Sequence, residues 1–99
     1  MLDLNPEDLT IIRKILATYV PGMIVWAYGS RVNGKAHEGS DLDLVIINPQ
    51  NSTLPQENIA LLRSELSESN LPILVDVMDW ALIPDPFRQE IKKNHEVIQ

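Results

Sequence analysis

Two aspartates, Asp41 and Asp43, are placed where their carboxylates could hold a divalent metal ion. They are separated by one residue at the start of an apolar run that is typical of a strand. Alternate side chains of a strand share a face, so the two carboxylates should point the same way, with their Cα atoms ~6.6–7 Å apart. Such a pair is repulsive unless a cation lies between the groups, and hard oxygen ligands suit Mg²⁺ or Mn²⁺. The pair therefore predicts a metal site.

A third carboxylate, that of Asp76, lies within another apolar run, PILVDVMDW. An ionised side chain between Val75 and Val77 is costly without a partner, so we expect Asp76 to be buried and to complete a two-metal site with the first two aspartates. For Asp79, which follows the same run, a capping or turn role is the expectation.

A glycine-containing stretch, YGSRVNGKA, precedes the Asp-x-Asp pair. Glycines after a strand let backbone N–H groups approach a phosphate. The spacing Gly29-x-x-x-x-Gly34-Lys35 is close to that of a P-loop, but Ala36 stands where a P-loop has Ser or Thr, and a strand follows instead of a long helix. A P-loop is therefore disfavoured, and the residues alone leave open whether this stretch is another kind of phosphate-binding turn or a plain one.

Each of these patterns has an ordinary structural reading when it is taken alone. Gly-Ser after a strand is more often a plain turn, and Asp-Leu-Asp-Leu is more often an amphipathic surface strand. Their combination, with ten residues between them and a later aspartate in an apolar strand, is what favours a catalytic site.

Helices and strands that would position these residues can be read from the periodicity. The order is α-β-β-α-β-α, which predicts an α/β (α+β) fold with a small mixed sheet flanked by helices. The helices begin at Asn5-Pro6, at Pro55 and at Asp85-Pro86, the strands cover 23–28, 41–47 and 71–78, and Val97-Ile98 is either a last edge strand or a tail.

Composition limits the class of protein. The chain has 99 residues, no cysteine and a formal net charge of −6. We expect a single domain, 1–99, without a disulfide or a cysteine-ligated zinc site. The acidic balance argues against direct nucleic-acid binding. No apolar run approaches the ~18 residues of a membrane span, and the first residues do not resemble a signal peptide, so a cytoplasmic location without membrane attachment is expected.

The combined motif resembles that of the DNA polymerase beta-type nucleotidyltransferase superfamily. Its elements are Gly29-Ser30, ten residues, and Asp41-Leu42-Asp43. The longer stretch GSRVNGKAHEGSDLDL is similar to the minimal nucleotidyltransferases of prokaryotes, and the likeness covers nearly the whole chain. It implies a polymerase beta palm-like fold. Val32 and Asn33 stand where relatives often have Ala and Arg.

The resemblance also implies a mechanism. Gly29, Ser30 and Arg31 would bind the β- and γ-phosphates of ATP. Two Mg²⁺ ions, or Mn²⁺, would be held by Asp41 and Asp43, and Asp76 would bind the second ion. The acceptor hydroxyl would attack the α-phosphorus in line, and pyrophosphate would leave.

The acceptor is implied in the same way. Minimal nucleotidyltransferases occur with a helical HEPN partner, a ribonuclease toxin, and act as its antitoxin by transferring AMP to a tyrosine. The expected function is therefore a magnesium-dependent protein adenylyltransferase of a toxin–antitoxin system. Two alternatives stay open: an antitoxin that acts by binding alone, and a nucleotidyltransferase of small molecules such as aminoglycosides.

Overall fold

The computed structural model describes residues 2–37 and 39–99. That part of the chain forms helices and strands in an alternating order that ends in a short edge strand. The elements are α1 Pro6–Tyr19, β1 Ile24–Tyr28, α2 Ser30–Asn33, β2 Leu42–Ile47, α3 Ile59–Glu68, β3 Val75–Asp79, a 3₁₀ turn Trp80–Leu82, α4 Asp85–Lys93 and β4 Glu96–Val97.

The strands form one mixed sheet in the order β3-β2-β1-β4. β1 is antiparallel to both β2 and β4, whereas β2 and β3 are parallel. Parallel neighbours need a crossover connection, and α3 lies in the segment that joins these two strands. This architecture confirms the predicted small mixed sheet flanked by helices.

Helices cover the two faces of the sheet unequally. On one face, apolar side chains from the strands pack against α1 and α3; the buried members include Ile12, Leu16, Ala27, Leu42, Leu44, Leu62 and Val77. On the other face, a smaller cluster packs around the 3₁₀ turn and α4; its buried members are Tyr28, Val45, Ile47, Trp80, Ile83 and Ile91. On this second face, Asp43 near the start of β2 is only half-buried.

The first helix begins as its sequence predicts. The Asn5 side chain accepts a hydrogen bond from the Glu7 N–H at 2.9 Å, Pro6 occupies the first turn, and Glu7 and Asp8 place negative charge at the positive end of the helix. None of the helices in the described ranges is long and apolar enough to cross a membrane.

Several element boundaries differ from those predicted. β3 begins at Val75 rather than at residue 71, because its pairing starts where Val75 lies opposite Leu42, the first residue of β2. The α3 helix begins at Ile59 rather than at Pro55. The segment after Pro55 stays outside the helix because the Gln56 N–H donates to the Asp79 side chain. The short α2 helix and the 3₁₀ turn were not predicted, and β4 confirms the edge-strand alternative at the end of the chain.

Candidate active site

Asp43 and Asp76 lie directly opposite each other on the parallel strands β2 and β3. Opposed residues project to the same face, so their carboxylates share the face that carries the cluster around the 3₁₀ turn and α4. Asp41 comes two residues before Asp43, just ahead of the first residue of β2. Asp43 is half-buried, while Asp41 and Asp76 are exposed. The structure thus pairs Asp43 with Asp76 across two strands and places Asp41 just before the strand that carries Asp43.

Negative charge accumulates around Asp43. Burial raises the pKa of Asp43, and the nearby carboxylates of Asp76 and Asp41 raise it further. Tyr28 lies opposite Asp43 on the other side of β2, and burial, followed by the charges of Asp43 and Asp76, raises its pKa to about 12. A tyrosine with such a pKa is a neutral phenol near pH 7. The charges at this site therefore favour a bound cation.

The donor chemistry of the three carboxylates fits Mg²⁺, which prefers oxygen ligands and keeps several of its own water molecules. Within residues 2–37 and 39–99, however, no group of three or more His, Asp or Glu side chains is already gathered closely enough to hold a metal ion. The binding of metal by Asp41, Asp43 and Asp76 stays a prediction. It rests on the shared face of Asp43 and Asp76 and on the repulsion of Asp43 by both of the other carboxylates.

Two independent features require a glycine at position 29: its backbone conformation and its closeness to the Asp43 side chain. Gly29 has φ 81° and ψ −153°, a conformation that residues with a side chain rarely adopt. A Cβ atom at this position would lie 2.5 Å from Asp43 Oδ2. The turn therefore passes against the carboxylate of Asp43 with no room for a side chain between them.

Residues 30–34 form the turn itself. The N–H groups of Val32 and Asn33 both donate to the Gly29 carbonyl at 3.0 Å, and Gly34 ends the α2 helix in the left-handed conformation, with φ 81°. Ser30 is the first residue of α2 and is half-buried. The predicted phosphate-binding turn thus starts beside the carboxylates.

Arg31 has a structural role that the sequence reasoning missed. Its side chain is buried, Nε donates to the Ser40 carbonyl at 2.9 Å, and Nη1 donates to the Asp3 carbonyl at 2.9 Å. The Asp3 N–H also donates to the Arg31 carbonyl at 2.6 Å. These contacts fasten the N-terminal segment and the residue before Asp41 to α2, whereas the role of Arg31 in phosphate binding stays a prediction.

Our expectation that Asp76 is buried was wrong, and the buried aspartate of β3 is Asp79. Asp79 is 4% exposed, and its carboxylate accepts hydrogen bonds from the Ala81 N–H at 3.2 Å and the Gln56 N–H at 2.7 Å. The predicted capping role of Asp79 is therefore confirmed. Asp76 is exposed because β3 is an edge strand and because the 3₁₀ turn and α4 follow the opposite end of that strand.

Tyr28 was also missed as a component of the site. It is 8% exposed and extends the row Asp76–Asp43 across a third strand. A signal was present in the sequence, since Tyr28 immediately precedes the Gly-Ser pair at the end of β1. Only the register of β1 against β2 places it beside Asp43.

A mixed sheet carrying opposed carboxylates beside a Gly-Ser turn is the arrangement of a polymerase beta-type nucleotidyltransferase. The family model described as Polymerase beta, Nucleotidyltransferase matches residues 10–99, and the chain belongs to this family. The resemblance seen in the Gly-Ser and Asp-x-Asp motif is thereby confirmed.

Known relatives agree with this assignment. The chain is 46% identical over 100 residues to the probable protein adenylyltransferase MntA of Haemophilus influenzae, and the match spans 99% of this chain and 84% of that protein. Its fold is similar to a chain in the crystal structure of a toxin–antitoxin with AMP-PNP, with a TM-score of 0.73, 23% identity, and coverage of 96% of this chain and 73% of that one. It is also similar to a chain of the MntA–HepT toxin–antitoxin, with a TM-score of 0.68, 19% identity, and coverage of 96% and 72%. At these identities the structural matches bear on the fold alone.

Proposed function

We propose that this chain is an adenylyltransferase that transfers AMP from ATP to a tyrosine hydroxyl of a partner HEPN ribonuclease toxin, and thereby acts as the antitoxin. The observation that carries the proposal is the approach of the Gly29 turn to Asp43, which itself lies opposite Asp76. This approach supports the proposal because the backbone that would bind phosphate then lies beside the carboxylates that would bind metal. The 46% identity to a probable protein adenylyltransferase supports AMP as the group transferred and a protein as its acceptor.

The Gly29 turn would bind the phosphates. Because Gly29 has no side chain, the backbone at Ser30 can approach a phosphate closely, and the Ser30 N–H and hydroxyl can both donate to its oxygens. The contact of the turn with Asp43 would then direct the α-phosphate toward the carboxylates.

Asp41, Asp43 and Asp76 would hold magnesium. When bound, the metal neutralises charge on the phosphates and lowers the pKa of the attacking hydroxyl. The rest of the catalytic effect lies in positioning, since the turn and the sheet hold the reacting groups in a fixed arrangement before reaction.

Asp76 is placed to act on the acceptor. It is exposed on an edge strand, where a partner protein can reach it, and it lies directly opposite Asp43. In the proposed step, the acceptor oxygen forms a bond to the α-phosphorus and its proton passes to the Asp76 carboxylate. The bond from the α-phosphorus to the bridging oxygen breaks, and pyrophosphate leaves with that oxygen.

The proposal is tested by the intact mass of the cognate toxin. The toxin is incubated with this protein, Mg²⁺ and each nucleoside triphosphate in turn, and Asp43→Asn and Asp76→Asn variants serve as controls. We expect a gain equal to one or more AMP groups with ATP, absent in both variants, and a modified tyrosine in the peptide map. An unmodified toxin that is nevertheless neutralised would refute the transferase and favour an antitoxin that acts by binding alone.

A further inference from the structure

A cleft of about 250 Å³ opens between the Gly29 turn and helix α4. Its lining includes two aromatic rings, Tyr28 and Phe87, and the backbone of Gly29. The polar side chains around it come from Asn33 on one side and from Glu90 and Asn94 on the other. The cleft thus adjoins the proposed phosphate-binding turn but is separate from the exposed carboxylates.

We propose that this cleft receives the adenine base of the bound nucleotide, with Phe87 as its stacking platform and Glu90 as the residue that favours adenine over guanine. The inference rests on the proposed function, because it assumes that the phosphates bind at the Gly29 turn. It adds the residues that select the nucleotide.

The position of the cleft favours the nucleotide over the acceptor. Asp76, Asp43 and Tyr28 form a row across three neighbouring strands, with Asp43 in the middle. The cleft adjoins the Tyr28 end of this row, and the exposed Asp76 lies at the other end. The nucleoside and the attacking hydroxyl therefore have separate approaches to the α-phosphate, one from each end of the row.

The aromatic pair suits a flat ring. Phe87 contacts Tyr28 edge to face, with ring centroids 5.6 Å apart and an interplanar angle of 83°. Tyr28 is 8% exposed and Phe87 is 38% exposed, so a buried ring supports one that is open to solvent. An exposed ring held in place by a neighbour loses little freedom when a base stacks on it.

The polar groups suit the edge of adenine. The Glu90 carboxylate is an acceptor and can receive a hydrogen bond from the 6-amino group of adenine, whereas guanine presents an acceptor oxygen at the same position. Glu90 also contacts Lys93 at 3.4 Å, but both side chains are mostly exposed, and a surface pair of this kind is weak enough to exchange. The amides of Asn33 and Asn94 can donate or accept as the bound base requires.

The test is calorimetric titration of the folded protein with AMP-PNP and with GMP-PNP, both in the presence of Mg²⁺. We expect Phe87→Leu to weaken AMP-PNP binding about 5- to 100-fold through lost stacking. Phe87→Tyr should retain most of the affinity. Glu90→Gln should reduce the preference for AMP-PNP over GMP-PNP about tenfold. Leu82→Ala removes an exposed apolar side chain from the 3₁₀ turn, away from the cleft lining, and should leave both affinities unchanged.

Three outcomes would overturn the inference. The first is wild-type affinity for AMP-PNP and normal transfer in Phe87→Leu, which would leave the cleft without a role. The second is wild-type affinity in Phe87→Leu with a loss of transfer, which would assign the cleft to the acceptor. The third is an unchanged nucleotide preference in Glu90→Gln. Failure of the proposed function is a different result, in which wild-type protein binds AMP-PNP through the cleft but leaves the toxin at its unmodified mass.

Discussion

Gly29 lies so close to Asp43 that a Cβ atom on the glycine would be 2.5 Å from the carboxylate oxygen Oδ2. The contact joins the turn after β1 to the first half of β2, and it sets the distance between the proposed phosphate-binding backbone and the proposed metal ligand. Gly34, at the other end of the same turn, has the same φ of 81° but no atom within 4 Å of an added Cβ. The two glycines differ in ψ, which is −153° at Gly29 and 8° at Gly34. A side chain at Gly29 would therefore meet both a less accessible backbone conformation and the Asp43 carboxylate, whereas one at Gly34 would meet only the milder left-handed strain.

The first prediction compares Gly29→Ala with Gly34→Ala. Gly34→Ala should lower the free energy of unfolding by about 1–2 kcal/mol, the cost of a left-handed residue with a side chain, and should retain transfer activity. Gly29→Ala should cost more, about 2–4 kcal/mol, and should abolish transfer because Asp43 must move. Urea unfolding and toxin mass measure the two effects. Equal losses of stability, with activity kept in both variants, would show that the approach to Asp43 has no catalytic importance.

The second prediction concerns the charge repulsion at Asp43. Its pKa is raised by burial and by the carboxylates of Asp76 and Asp41, so the ionised group is unfavourable in the folded protein without a cation. Asp43→Asn should therefore raise the free energy of unfolding measured in EDTA, while lowering transfer at least about 100-fold, the scale of losing one group that stabilises the transition state. A loss of stability in EDTA would contradict the proposed repulsion.

The third prediction separates the two aspartates of β3. Asp79→Ala should lower the free energy of unfolding by about 2–4 kcal/mol, because two backbone N–H groups lose the buried carboxylate that accepts their hydrogen bonds. Asp76→Ala should change stability by less than about 0.5 kcal/mol, since this side chain is exposed, and should abolish transfer. Thermal unfolding and toxin mass distinguish the two. The reverse pattern, with stability lost in Asp76→Ala and transfer lost in Asp79→Ala, would refute both roles.

The fourth prediction concerns the anchoring role of Arg31. Arg31→Lys keeps the charge, but an ammonium group cannot donate to the Asp3 and Ser40 carbonyls in the geometry of the guanidinium. We expect a loss of about 1–3 kcal/mol of unfolding free energy. Lys35→Ala, at an exposed cation nearby, should change it by less than about 0.5 kcal/mol. Unchanged stability in Arg31→Lys with a raised KM for ATP would instead support the predicted contact of Arg31 with phosphate.

Much of the fold followed from local patterns. Alternation and apolar runs predicted the three longest strands, and the proline and acidic residues at Asn5-Pro6 predicted the start of α1, because these signals depend on neighbouring residues alone. The ends of elements were less predictable. Pro55 is a good helix start by itself, but the hydrogen bond from Gln56 to Asp79 holds this segment outside the helix, and that bond joins distant parts of the chain.

Within the site, the Asp-x-Asp spacing predicted one strand for both aspartates, but the strand begins at Leu42 and includes only Asp43. The Gly-Ser pair was enough to predict a close backbone turn. Both features reflect chain geometry over a few residues. The family could also be predicted from the sequence, because the ten-residue spacing between Gly29-Ser30 and Asp41-Leu42-Asp43 is the family's motif.

Tertiary structure decided the features that depend on pairing between strands. The parallel register of β2 and β3 places Asp76 opposite Asp43, and the antiparallel register of β1 and β2 adds Tyr28 to the same row. Tertiary structure also decided which aspartate of β3 is buried. An aspartate in an apolar strand can be buried or exposed, and only the edge position of β3 together with the segments packed at its end exposes Asp76 and buries Asp79. A side chain's neighbours in sequence do not specify which elements cover it, because that depends on how the whole sheet is assembled.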